Sequence, residues 1–469
     1  MASLASPAPA FTHWSKGFDP SSLDHIPGDD GWPILGTTLK VLADPVAYGN
    51  KLRDLYGPVA RSKSFGRRQV MLSGADANEL VLFDRNKVFS SEQGWGPVLD
   101  QLFPRGLMLM DFEKHRVDRR ALSIAFKPEP MRHYADALNA GIARRMVEWG
   151  ASGSATGGAT AKSVPMTFYP AIKRLTLDLA ATSFLGLPLG PEADALNTAF
   201  VDMVQASIGI IRKPLPFTAR GRGVAGRKLM VEWFTPQVLE RRAGGGQDMF
   251  SQFARATDEA GEYLAVDAVV DHMIFLMMAA HDTITSSATS LVWLLAKHPE
   301  WQDKLRREAL AVTGGAGRPL AYDDLGKMEL TELAFKEALR LIPPVPSTPR
   351  RALKDFEFGG YRIPAGTPVG ISAAAVHKMA EHWPDPERFD PLRFTPENSA
   401  GRHKYAWVPF GGGAHMCIGL HFAYMQIKVL TAQLLTRYEV SVADGYTPEW
   451  LPWPIPKPKD GLKITLTAI

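Results

Sequence analysis

Phe410-Gly-Gly-Gly-Ala-His-Met-Cys417-Ile-Gly419 contains the only cysteine in a chain of 469 residues. A lone thiol closes no disulfide within its own chain, so cysteine is not used here as a staple. Surrounded by apolar side chains it would simply be a small hydrophobe. Its setting favours a different reading. Three glycines let the backbone pass close to something flat or bulky, and a helical pattern, His421-Phe-Ala-Tyr-Met-Gln-Ile-Lys-Val-Leu430, begins just beyond. The free N–H groups and dipole of a helix N-terminus stabilise an anion, which places Cys417 to be a thiolate, either nucleophile or metal ligand. His415 offers a donor to an acidic group on the same ligand. The run is no dinucleotide loop, because GxGxxG would need glycine at Met416.

Away from this loop the chain has the composition of a soluble globular protein, 45 % hydrophobic and 22 % charged. A formal charge of +4 with no basic blocks argues against nucleic acid as a partner. The strongest apolar run, Met273-Ile-Phe-Leu-Met-Met-Ala-Ala280, is too short to span a bilayer, and Met1 to Ala10 lack a basic n-region, so a cytoplasmic protein without a membrane anchor is expected.

An irregular Pro-rich lead-in reaches to about Gly36. A hairpin is expected next, Val59 to Phe65 and Gln69 to Leu72 about Gly66-Arg67-Arg68. Helical patterns then dominate to Val312, broken at 94–97, 104–106, the low-complexity loop 152–160, 214–216 and 244–246. Beyond Pro343 come short strands with Pro and Gly, including a hairpin in Phe356-Glu-Phe-Gly-Gly-Tyr-Arg-Ile-Pro-Ala-Gly366, one helix after Cys417, and closing strands around Pro456 to Thr467. No linker divides the chain. One mainly α domain with small β-sheets (α+β), covering residues 1–469, is expected.

Three further patches bear on Cys417. Asp282 and Thr283 lie in Ala280-His-Asp-Thr-Ile-Thr285, inside a long helix that Pro299 stops. A carboxylate in an apolar helix is costly unless it has a task, and capping a neighbouring element would be the plainer one. Thr283 can bond back to an upstream carbonyl and bend the helix. Glu337 and Arg340 stand at i and i+3 on one helix face, a pair that contributes only about 0–1 kcal/mol when exposed. Arg388, in Asp385-Pro-Glu-Arg-Phe389, is expected to join them.

In this order the patches resemble the cytochrome P450 superfamily along essentially the whole chain. The cysteine loop matches its FxxGx[H/R]xCxG pattern, the long helix its [A/G]GxDTT pattern, and the remaining two its ExxR and PERF-like patterns. His115-Arg-Val-Asp-Arg119 looks like its HxxxR. The resemblance implies that Cys417 ligates the iron of heme b (iron protoporphyrin IX), that Phe410 shields the sulfur, and that Gly411 to Gly419 admit the macrocycle edge. It further implies that His115, Arg119, Arg350 and His415 bind the haem propionates, and that Asp282 and Thr283 relay protons to dioxygen. Glu337, Arg340 and Arg388 become a structural triad. Two departures stand out, Ala280 for the usual glycine and Ile284 for a second hydroxyl residue, with an unusual His281 beside them.

The implied activity is insertion of one atom of O2 into a hydrophobic substrate, terpenoid, steroid or fatty-acyl-like. Contacts are expected from residues 90–110, 200–217, 274–280, 345–348 and 453–456, rich in aromatic and aliphatic side chains. A single cysteine cannot supply the four thiolates of an iron–sulfur cluster and no flavin signature is present, so electrons come from a separate ferredoxin or flavodoxin with its reductase. Arg402, His403 and Lys404 are candidates for its docking face. A peroxide-driven peroxygenase and a non-catalytic haem or ligand-binding protein are the competing readings.

Overall fold

Apolar residues all around a helix mark a core helix, and the run near Met273 belongs to one of 32 residues buried along most of its length. The computed structural model describes residues 18–99, 102–151, 163–209 and 213–469; the start of the lead-in and the loop at 152–160 lie outside them. The helices that frame the site are α1 (Glu92–Leu99), α2 (Phe112–Leu122), α3 (Pro128–Ala151), α4 (Phe168–Ser183), α5 (Pro191–Ile208), α6 (Ala219–Ala243), α7 (Val266–Lys297), α8 (Glu329–Leu341) and α9 (Leu420–Leu435). The expected break at 94–97 is absent, because Pro97 is accommodated within α1.

The central helix α7 packs against α4, α5, α6 and α8, while α9 lies between α3 and α8. Four of its hydroxyls bond to the carbonyl four residues back: Thr283 to Ala279, Thr285 to His281, Ser287 to Thr283 and Thr289 to Thr285. These bonds satisfy hydroxyls inside an apolar helix. The helix runs on unbroken past Thr283, so the expected bend takes the form of a back-bond without a break.

The strands gather at the edges of this helical body. They are β1 (Gly28–Asp29), β2 (Val59–Ser64), β3 (Arg67–Leu72), β4 (Phe89–Ser90), β5 (Ser163–Thr167), β6 (Thr348–Ala352), β7 (Phe356–Phe358), β8 (Tyr361–Ile363), β9 (Pro368–Ile371), β10 (Tyr438–Ser441), β11 (Trp450–Leu451), β12 (Lys457–Pro458) and β13 (Lys463–Ala468). The largest sheet has the order β1-β2-β3-β9-β6-β4, with β9 parallel to β3 and antiparallel to β6. Its β2–β3 hairpin turns through Phe65-Gly66, both at positive φ, as a tight two-residue hairpin requires. Arg67 and Arg68 are therefore strand residues paired with Ser64 and Lys63, not part of the turn. The β7–β8 hairpin turns through Gly359-Gly360 as expected. At the C-terminus β13 pairs with β10 and with β5, a strand the sequence pattern did not mark. Ser286 on α7 donates to the carbonyl of Pro456 (2.6 Å), tying the C-terminal turn to the central helix. The sheet has its own apolar cluster, separate from the one that α3, α4, α7 and α9 share.

Candidate active site

The cysteine loop is a closed finger. Gly411 N–H donates to the Val408 carbonyl (3.0 Å) and Cys417 N–H to the Phe410 carbonyl (2.9 Å). Gly411 and Gly413 both have left-handed φ, 70° and 60°. A Cβ on Gly413 would lie 2.1 Å from the Leu82 carbonyl oxygen, so what this glycine admits is the backbone ending helix Ala75–Phe83. Phe410 packs against Trp407 and Tyr424, with centroids 6.2 and 5.7 Å away. Gly419 is the N-cap of α9, so Cys417 stands two residues outside the helix. Its side chain is exposed to a recess, yet the surrounding protein pushes its thiol pKa up. Burial outweighs the two opposing influences, a hydrogen bond from Gly419 N–H and the Arg119 guanidinium. The helix terminus alone therefore does not make the thiolate that was expected. A coordinated metal would, because a ligating thiol is deprotonated outright.

Four basic side chains converge from separate elements. His115 and Arg119 are one turn apart on α2, Arg350 is on β6, and His415 belongs to the cysteine loop. The His115 and His415 rings lie 4.0 Å apart at 36°. Burial, then mutual repulsion among these groups, depresses His115 to about 4 and His415 to about 2. Burial also lowers Arg119, and brings Arg350 down to about 10 despite the charges of Asp111 and Asp84. Among the described residues no carboxylate lies within ion-pair distance of Arg119 or Arg350. Half-buried Arg119 and buried Arg350, unpaired with carboxylates and near an exposed thiol, are a donor set that fits an iron porphyrin: a soft sulfur for the metal and cations for its acid groups.

On α7, Thr283 Oγ1 donates to the Ala279 carbonyl (2.7 Å) and Asp282 meets Lys173 Nζ of α4 at 3.4 Å. Burial would raise the Asp282 pKa, but His281 and Lys173 prevail and hold it at about 2. Asp282 is thus an ion-paired carboxylate and, among the described residues, caps no helix. His281 lies beside it, 3 % exposed, its ring edge-on to Phe200 of α5 (5.6 Å, 88°). Of the expected substrate-lining regions, 90–110 and 274–280 touch each other. Gly106 packs on the Phe275 ring, which is also edge-on to Phe103 (6.5 Å). Residues 100–101 and 210–212 of those regions lie outside the described residues.

The triad needs one correction. Glu337 and Arg340 form a bidentate pair (2.7 and 2.8 Å), both side chains fully buried. Arg388 does not join it: its side chain is 63 % exposed and bonds Asp390, and only its carbonyl accepts from Arg340. The third charge is Arg393, whose Nε lies 3.4 Å from Glu337 Oε1 while Nη2 donates to the Asp385 carbonyl. A repeat hides the choice, since Asp-Pro-x-Arg-Phe occurs at 385–389 and again at 390–394. His377 is a further member that sequence reasoning missed. It is fully buried, its carbonyl accepts from Arg340, and its Nε2 accepts from Val408 N–H, joining this cluster to the cysteine loop. The expected docking face is also reduced. Arg402 stacks over Trp383 (4.0 Å) and bonds two backbone carbonyls, and His403 lies 3.2 Å from Asp76, leaving Lys404 as the outward cation of the three.

The cytochrome P450 family model matches residues 26–217 and 237–465. The chain is 37 % identical over 452 residues to a putative cytochrome P450 136 of Mycobacterium tuberculosis, covering 95 % of this chain and 89 % of that one. It is 29 % identical to a beta-amyrin 28-monooxygenase of Solanum lycopersicum, over 94 % and 92 % of the two chains. Among solved structures, a retinoic acid-bound cyanobacterial CYP120A1 superposes with a TM-score of 0.83 at 29 % identity, covering 94 % of this chain and 99 % of that one.

Proposed function

This chain belongs to the cytochrome P450 family, and from that premise we propose that it is a haem b-dependent monooxygenase acting on a hydrophobic substrate of moderate size. The bound group would supply dioxygen activation. One oxygen atom enters a C–H bond of the substrate and the other leaves as water, using a pair of electrons and a pair of protons. The residues divide the remaining work. Cys417 would hold the iron, while His115, Arg119, Arg350 and His415 would neutralise the propionates. The single observation that carries this reading is the exposed sulfur of Cys417 close to Arg119 and Arg350, which have no carboxylate within ion-pair distance among the described residues.

Thr283 would present its hydroxyl on the oxygen-binding face, and Asp282 would pass protons inward from Lys173, which is partly exposed. Glu337, Arg340 and Arg393 would hold the framework. A terpenoid-like substrate is favoured by the apolar helices around α7 and by the names of two relatives, one acting on beta-amyrin and one bound to retinoic acid. No described helix is long and apolar enough to cross a membrane, and a cytoplasmic enzyme served by a separate ferredoxin or flavodoxin is the arrangement proposed.

The test compares product formation from an apolar substrate under two regimes, reductant with a ferredoxin and its reductase, or peroxide alone. Turnover with the electron donors supports the monooxygenase. Turnover with peroxide alone would make it a peroxygenase, and turnover with neither a non-catalytic binder.

A further inference from the structure

Ala280, His281 and Ile284, where α7 carries its two departures and its unusual histidine, line one small cavity. Its other walls are side chains of α4, of Phe184 just beyond it and of α9, and its space is about the smallest that admits one water molecule. Most of the wall is apolar. The polar groups facing it are His281, Thr176 of α4 and Gln426 of α9.

His281 is the unusual member. It is buried, and among the described residues neither ring nitrogen has a hydrogen-bond partner. Nδ1 lies 3.0 Å from Asp282 Oδ1, but consecutive residues of a helix do not face each other, so the contact is electrostatic rather than a directed hydrogen bond. With Nδ1 turned to Asp282, Nε2 is the nitrogen left for the cavity. A buried polar atom without a partner costs about 1–3 kcal/mol, and folded proteins commonly satisfy such atoms with ordered water. Thr176 Oγ1 donates to the Lys173 carbonyl (2.9 Å) and lies 2.9 Å from Thr285 Oγ1, whose own proton goes to the His281 carbonyl. As a hydroxyl it still has acceptor capacity for a water proton.

We propose that His281 anchors one water in this cavity, bridged to Thr176 and Gln426, and that it is thereby a positioning residue for Asp282. The water fixes the imidazole, against which Phe200 already packs. The fixed imidazole then holds the Asp282 carboxylate between itself and Lys173. In this chain the polar partner that Ile284 cannot be comes from the rear of the helix. The inference rests on the reading of Asp282 and Thr283 as a proton relay.

The experiment uses the haem-loaded protein and two readouts. Electron density from cooled crystals reports what occupies the cavity. Substrate-free protein, reduced in air through a ferredoxin and its reductase, reports the share of electrons released as hydrogen peroxide and its solvent isotope effect. In the unsubstituted protein one water should bond His281, Thr176 and Gln426. His281→Leu should lose the water, keep the reduced carbon monoxide spectrum, and slow proton delivery through the relay about tenfold, the scale of a lost supporting partner, which raises the peroxide share. His281→Gln should restore most of it. If His281→Leu takes up no haem, Gln426→Leu carries the test, with the same direction expected. A dry wild-type cavity, or a His281→Leu protein whose peroxide share and isotope effect match wild type, overturns the proposal. Asp282→Asn run in parallel separates the two ideas: if it also behaves as wild type the relay reading fails, whereas if it alone uncouples only the role of His281 fails.

Discussion

Arg388 and Arg393 occupy the same local frame, Asp-Pro-x-Arg-Phe, yet only the second reaches Glu337. The difference is burial, which neither residue's neighbours in sequence reveal. Removing one member of a buried ion pair leaves the other charged and unpaired, at a cost of about 3–5 kcal/mol. Glu337→Ala should destabilise the haem-loaded protein by that amount in urea denaturation, with Arg393→Ala in the same direction. Arg388→Ala should stay within about 0.5 kcal/mol, as for an exposed surface substitution; equal losses at 388 and 393 would contradict the assignment. At Thr283 the hydroxyl is held by the Ala279 carbonyl, and Thr283→Ala removes it without opening a large void. That variant should bind haem and substrate normally yet lose about 10²-fold or more in coupled product formation, the usual contribution of a positioned proton donor. Unchanged product per reducing equivalent would count against its role.

Elements were legible in the sequence to the extent that their cause is local. The long apolar run, the stop at Pro299 and the glycine pairs in the β7–β8 turn each act within a few residues, and each element formed where expected. The β2–β3 turn came out shifted toward Phe65, because Arg67 and Arg68 have strand partners that local composition does not show. Pairing at long range was not legible: β5 joins β13 across some three hundred residues, and β9 lies beside β3. Within the site, the cysteine loop was readable from its glycines, whereas the reason for one of them was not. Gly413 is needed because the Leu82 carbonyl presses on it and its φ is left-handed. Gly413→Ala should therefore displace the loop and sharply reduce haem retention, destabilising by more than the about 1–2 kcal/mol of the left-handed strain alone. Ala at Gly411, where only the His415 carbonyl approaches at 3.7 Å, should carry just that strain. The comparison can be read from haem content after purification and from denaturation midpoints. Equal effects at the two glycines would show that close approach is not what selects Gly413.

Across the whole molecule, the four basic groups make the recess a place that resists further positive charge. The folded-state values of His115 and His415, about 4 and about 2, lie below the ordinary 6.5. The unfolded chain therefore binds more protons in that window, and stability rises with pH through it. Haem-free protein should be most stable above about pH 6.5 and lose stability as pH falls toward 4, with His115→Asn flattening the slope; a slope that the substitution leaves unchanged would contradict this. Acid groups bound among the same residues should weaken the dependence, since they favour the protonated imidazoles. The account joins this electropositive recess to one sulfur, and the most direct measurement concerns that atom. The haem-loaded, reduced protein exposed to carbon monoxide should show the red-shifted absorption band of thiolate ligation, and Cys417→Ala should abolish it even where haem is retained. Persistence of that band in the alanine variant would show that Cys417 is not the ligand.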